Sequence, residues 1–139
     1  MQPIPSTKTL HTFKQFATAQ GARIYRIPMQ AFPNFWVYAY LVFVDGMTVL
    51  VDTGSGFGDS NQHLLEGFER VRACEGLDSV MDTLDYILIT HAHIDHFGGL
   101  PFLLEKTDAK VGIHELDLRN LTNYEERIII TEQRLRAFL

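Results

Sequence analysis

Residues 91–96, HAHIDH, place three histidines and one aspartate within six positions, directly after an apolar run and before Gly98 and Gly99. Neutral imidazole and carboxylate are good ligands for divalent zinc, and also for iron or manganese. In extended or turn backbone His91 and His93 point the same way, because side chains alternate there, so the two can hold one ion together. Asp95 and His96 lie one turn onward and can reach a second ion. The whole chain has six histidines, and three of them gathered here with an aspartate are hard to assign to packing. Cys74 is the only cysteine, so no internal disulfide is possible and a zinc site must use nitrogen and oxygen donors. Cys74 itself reads as a packing or surface position on a helix.

Those side chains need a platform. The apolar segment LDYILIT at 84–90 reads as a buried strand that stops just before His91, and α/β folds commonly place sites at such C-terminal strand edges. Upstream, ARIYRIP at 22–28 reads as a short strand ended by Pro28, and QAFPNF as a loop in which Pro33 and Asn34 favour a turn. FWVYAYLVFV at 35–44 and residues 47–52 read as strands joined at Asp45–Gly46, a good hairpin signal. The glycine-rich loop GSGFGDSN at 54–61 leads into a helix, with Asp59 or Ser60 available as its cap. Leu64, Leu65, Phe68 and Val71 recur along it at helical spacing, and Gly76 stops it. FGGLPFLLEKT at 97–107 opens a short helix with Pro101 in its first turn. AKVGI at 109–113 is a further strand, residues 124–139 read as mostly helical, and residues 1–20 as a partly ordered lead-in. Strands alternating with helices argue a layered α/β fold.

A length of 139 residues suggests one domain, and a hydrophobic content of 46% fits a globular protein. The net charge of −5 comes without a concentrated basic block, so polyanion binding through a strong positive field is not indicated. Nucleic acid is therefore not an expected partner, and a small-molecule substrate is. The N-terminus lacks the apolar stretch of a signal peptide. The apolar run at 35–44 is too short to span a bilayer as a helix. No membrane partner is expected, and the expected compartment is the cytoplasm.

HAHIDH resembles the H-x-H-x-D-H signature of the metallo-β-lactamase superfamily of metallohydrolases, and VLVDTGSG at 49–56 resembles its second hallmark, a strand ending in Asp-Thr-Gly. The two stand in the family's order, and the resemblance runs from about residue 22 to residue 120. It implies half of a four-layer αββα sandwich, with a mixed sheet and helices on its outer face. His91 and His93 would then ligate a first metal, and Asp95 and His96 a second. Asp52 would stand beside them, orienting a ligand histidine, and Asp95 would also help hold the nucleophile. The implied activity is hydrolysis of an ester, thioester, lactone or similar bond by zinc-activated water, with two zinc ions expected, and iron or manganese as substitutes.

The family's remaining ligands come from later motifs. After His96 the chain offers only His114, which reads as a turn or surface residue, and His11 and His63 read as non-ligands. Residues 1–139 are thus read as the N-terminal part of one such domain, with further ligands expected downstream of residue 139, and by themselves are expected to bind metal weakly and to be poorly active. An apolar face left open would favour self-association, so a homo-oligomer is a possible state. Phe35 and Trp36 are read either as an apolar wall near the metals or as core residues. Two other readings compete: an iron-dependent redox member resembling the sulfur dioxygenases, and a degenerate, non-catalytic binding module.

Overall fold

The computed structural model describes residues 11–123. Six strands form one sheet in sequence order: β1 (Lys14–Ala17), β2 (Arg23–Phe32), β3 (Phe35–Val44), β4 (Met47–Val51), β5 (Tyr86–Ile89) and β6 (Lys110–Ile113). β1 to β4 are antiparallel neighbours, whereas β4, β5 and β6 run parallel. The helices are α1 (Ser60–Glu75), α2 (Val80–Thr83), α3 (Ile94–Phe97), α4 (Leu100–Leu104) and α5 (Glu115–Thr122). The expected α/β architecture, a mixed sheet with helices, is what the chain adopts. The helical reading of 124–139 falls outside the described residues.

Alternation along the strands explains the layers. Tyr25, Ile27, Met29, Ala31, Val37, Ala39, Leu41, Leu50, Ile87 and Ile89 form one buried core with Leu64, Phe68 and Val71 of α1 and Leu100 and Leu103 of α4. The residues between them belong to the opposite face. There the register sets Tyr40, Val51 and Leu88 side by side, next to Val42, Val49 and Tyr86. Tyr40, Tyr86 and Leu88 remain 37–41% exposed. The sheet therefore carries a second apolar face that no described helix covers.

Several boundaries differ from the sequence reading. Pro28 does not end the strand, because β2 continues to Phe32. β1 pairs with β2 only as far as Arg26, and the amide of Gln30 turns outward to His63 Nδ1. Pro28 shares that outward parity beyond the end of β1, where its missing N–H is not needed. The QAFPNF segment is a tight hairpin rather than a loop, with Phe32 facing Phe35 and Asn34 at φ 60°. Part of the lead-in is ordered as β1. The Asp59 side chain makes no capping bond to α1, and the Ser60 hydroxyl instead accepts from the Ser55 amide. The 97–107 segment is a helical turn, α3, beginning at Ile94, followed by α4 with Pro101 in its first turn. The Asp45–Gly46 turn and the Gly76 stop are as expected, and the Gly76 amide bonds the Arg72 carbonyl in the left-handed conformation.

The end of α1 is tied to the start of β2 through Glu75, which accepts from Arg23 Nε at 2.7 and 3.0 Å and from the Tyr25 hydroxyl. The Arg23 hydrogen bond holds the Glu75 carboxyl below its ordinary value, and burial pushes the Tyr25 phenol up. A carboxylate depressed in the native state adds stability above its unfolded pKa and loses it as pH falls through the native one. Glu75→Gln is therefore expected to lower stability at pH 7 by about 1 kcal/mol. The gap to the parent should close as pH falls below the ordinary carboxyl value of 4.5. Urea unfolding across that range checks it, and a gap independent of pH would contradict the assignment.

Candidate metal centre

The centre is built where β4 and β5 end side by side. Asp52, directly after β4, has φ 65°, a left-handed conformation that Asp tolerates better than most side chains. Its amide bonds the Leu88 carbonyl of β5, and its carboxylate turns beneath the 90–96 segment. There it accepts from the Thr90 amide at 2.8 Å, from the Thr90 hydroxyl at 2.8 and 3.0 Å, and from His96 Nδ1 at 2.7 Å. Asp52 is 5% exposed, so a buried carboxylate is satisfied wholly by groups around the HAHIDH turn.

The rest of the Asp-Thr-Gly-Ser segment clamps the same turn. Thr53 gives both its amide and its hydroxyl to the His96 carbonyl, at 2.8 and 3.0 Å. The Gly99 amide bonds the Gly54 carbonyl at 3.2 Å. Two loops lie backbone on backbone here, and glycine is what permits it. A β-carbon on Gly98 would strike the Ser55 carbonyl and sit 2.6 Å from the Ile94 oxygen, and one on Gly56 would strike the Gly98 carbonyl.

The four residues read as ligands all lie on this turn, close to one another in pairs. The His93 carbonyl accepts from the amides of His96 and Phe97 and so starts α3, which carries Asp95 and His96. The His91 ring centroid lies 4.6 Å from that of His93 and 4.2 Å from that of His96. His96 Nε2 stands 3.2 Å from Asp95 Oδ2. Two ligands of one tetrahedral zinc are separated by roughly 3.3 Å, so this pair fits neighbouring positions on an ion. His93 is exposed and His91, Asp95 and His96 half-buried, which leaves one side open to solvent. Among the described residues, no three His, Cys, Asp or Glu side chains form a ready-made ligand set. The donors lie close in pairs.

Other histidines serve elsewhere. His114 caps α5 by accepting from the Leu116 amide. His63 accepts from the Gln30 amide, and His11 bonds the Tyr38 hydroxyl. Trp36 stacks on both of these rings, at 4.9 Å from His11 and 5.2 Å from His63, while Phe35 stays 50% exposed beside Phe32. Cys74 is exposed on α1. Thr90 escaped the sequence reading. Its only sequence signal is adjacency to His91, since its partner Asp52 lies 38 positions away. No helix among the described residues is long and apolar enough to cross a membrane.

Comparison with known proteins gives a consistent picture. The family model described as metallo-beta-lactamase superfamily matches residues 35–135. A metallo-beta-lactamase family protein from Thermus thermophilus superposes with a TM-score of 0.64 at 27% identity, over 83% of this chain and 36% of that one. A metallo-beta-lactamase fold-containing protein from Sulfurisphaera tokodaii is 61% identical over 33 residues, which is 24% of this chain and 13% of that protein. An endoribonuclease, ysh1, of Aspergillus fumigatus is 32% identical over 71 residues, 51% of this chain and 7% of that protein. The chain thus spans only a small part of the curated relatives it matches.

Proposed function

The chain belongs to the metallo-beta-lactamase superfamily, and we propose on that footing that it carries the metal-gathering part of a hydrolase. The reaction is cleavage of an ester, thioester, lactone or similar bond in a small molecule. The observation that carries this reading is the position of His96 between two carboxylates. Its Nδ1 donates to Asp52, so in the neutral ring Nε2 presents a lone pair to Asp95 Oδ2 across 3.2 Å. That separation is the spacing of two donors on one tetrahedral ion, and imidazole with carboxylate is a donor set for a borderline divalent ion.

In this reading His91 and His93 would hold a first ion, and Asp95 and His96 a second. Bound zinc lowers the pKa of its water to about 7, which makes a nucleophile available at neutral pH. Asp95 would also help hold the attacking water in line with the scissile carbon. Asp52 fixes the proton on His96 Nδ1, which keeps Nε2 facing Asp95. Thr53 holds the His96 peptide in place. The open side of the turn admits the substrate.

His93→Ala is expected to lower metal content and hydrolysis together, because an ion needs several ligands at fixed geometry. Emission spectrometry of purified protein, with ester, thioester, lactone and phosphodiester substrates assayed in parallel, checks this. Metal content equal to the parent's would overturn the ligand assignment. Iron accompanied by oxygen consumption would move the reading to a redox member of the superfamily.

A further inference from the structure

We infer that Thr90 is a positioning residue for metal capture, its hydroxyl linking Asp52 to His91 so that His91 turns the lone pair of Nε2 outward. The inference rests on the proposed metal centre and concerns a residue outside the H-x-H-x-D-H signature. Thr90 Oγ1 lies 2.8 and 3.0 Å from the two Asp52 oxygens and 2.9 Å from His91 Nδ1. A hydroxyl has one hydrogen to give and two lone pairs to receive with. The Asp52 carboxylate has no hydrogen to give, so the Thr90 hydroxyl donates to it. The hydroxyl must then accept from His91, and the hydrogen on that ring is placed at Nδ1. Nε2 is left as the free donor atom.

The same carboxylate does this twice. It receives His96 Nδ1 directly at 2.7 Å and His91 Nδ1 through Thr90. Two rings whose centroids are 4.2 Å apart thus carry their hydrogens on the side of Asp52 and their lone pairs on the other. One of these rings belongs to each proposed ion, so a single buried group sets the ring states of both. The Thr90 amide also donates to Asp52 at 2.8 Å, which fixes the backbone from which the hydroxyl projects. Thr90 is exposed, but a β-branched side chain has little χ1 freedom, and the contacts with both Asp52 oxygens and His91 Nδ1 fix where its hydroxyl stands.

The test compares Thr90→Val, which keeps the shape and removes the hydroxyl, with Thr90→Ser, which keeps the hydroxyl. In the metal-free full chain, nitrogen-15 spectra of the imidazoles report which nitrogen of His91 carries hydrogen. The parent and Thr90→Ser are expected to show Nδ1–H at His91, and Thr90→Val a mixture of the two ring forms. Zinc titration against a chromophoric chelator is expected to show a ten- to hundredfold weaker affinity in Thr90→Val and little change in Thr90→Ser. Nε2–H at His91 in the parent would overturn the inference even if Thr90→Val failed to fold. So would a Thr90→Val protein with the parent's spectrum and affinity, or a Thr90→Ser protein as impaired as Thr90→Val. Because neither readout is catalytic, absence of hydrolysis alongside the expected spectra and affinities would count against the hydrolase reading alone.

Discussion

Gly98→Ala is expected to destabilise the domain by about 3 kcal/mol or more, the upper end for an overpacked interior. Gly98 has φ −63°, an angle alanine adopts freely, so backbone preference contributes nothing and the whole cost is steric. The added carbon would fall on the Ser55 carbonyl, with the Ile94 oxygen at 2.6 Å on its other side. Both obstacles are backbone and cannot rotate away as a side-chain tip could. Relief requires the 52–56 and 91–99 segments to separate, which breaks the Thr53–His96 and Gly99–Gly54 bonds. Gly58 provides the contrast. A β-carbon there meets nothing within 4 Å, and only its φ of +52° matters, so Gly58→Ala should cost about 1–2 kcal/mol. Thermal unfolding separates the two, with the Gly98→Ala midpoint lower by about 10 °C or more. A Gly98→Ala midpoint equal to that of the parent would show that the two loops do not meet.

Asp52→Ala should cost at least as much stability, and metal affinity as well. The Asp52 carboxylate is the acceptor for the Thr90 amide, the Thr90 hydroxyl and His96 Nδ1. Leaving a donor without its acceptor costs up to about 1–3 kcal/mol where water cannot replace it, and three part-buried bonds are lost at one point. Alanine is also worse than aspartate at φ 65°. A loss of about 3–5 kcal/mol is expected in urea unfolding. Zinc affinity should fall about a hundredfold, the upper range for removal of a group that orients a metal-binding histidine. It should fall for both ions, since His96 and His91 lose their orientation together. Asp52→Asn keeps the shape and one acceptor oxygen, and should lie between the parent and the alanine variant. An Asp52→Ala protein with unchanged zinc affinity would mean that the ring orientations are set elsewhere.

The residues proposed to hold the metals were legible because they are nearly consecutive. His91, His93, Asp95 and His96 lie on one turn whose conformation follows from a strand end and a glycine pair. Asp52 was legible only through its motif, and the structure pairs it with His96 Nδ1. What the sequence concealed depends on distant partners. Thr90 has an unremarkable side chain until Asp52 is brought beneath it. Ser60 looked like a helix cap and is instead the acceptor for the Ser55 amide. Pro28 looked like a strand terminator, because whether its missing N–H matters depends on where β1 stops. The alternation of Tyr40, Val42, Val49 and Val51 with core residues was hidden inside nearly continuous apolar runs. Only the register shows that these side chains form a second, open face of the sheet.

Diffraction from crystals grown with zinc, recorded at the zinc absorption edge, bears most directly on the metal centre. The result expected is anomalous density within about 2.0–2.2 Å of donor atoms of His91 and His93, and of Asp95 and His96. Zinc found only elsewhere, with these four side chains turned apart, would contradict it.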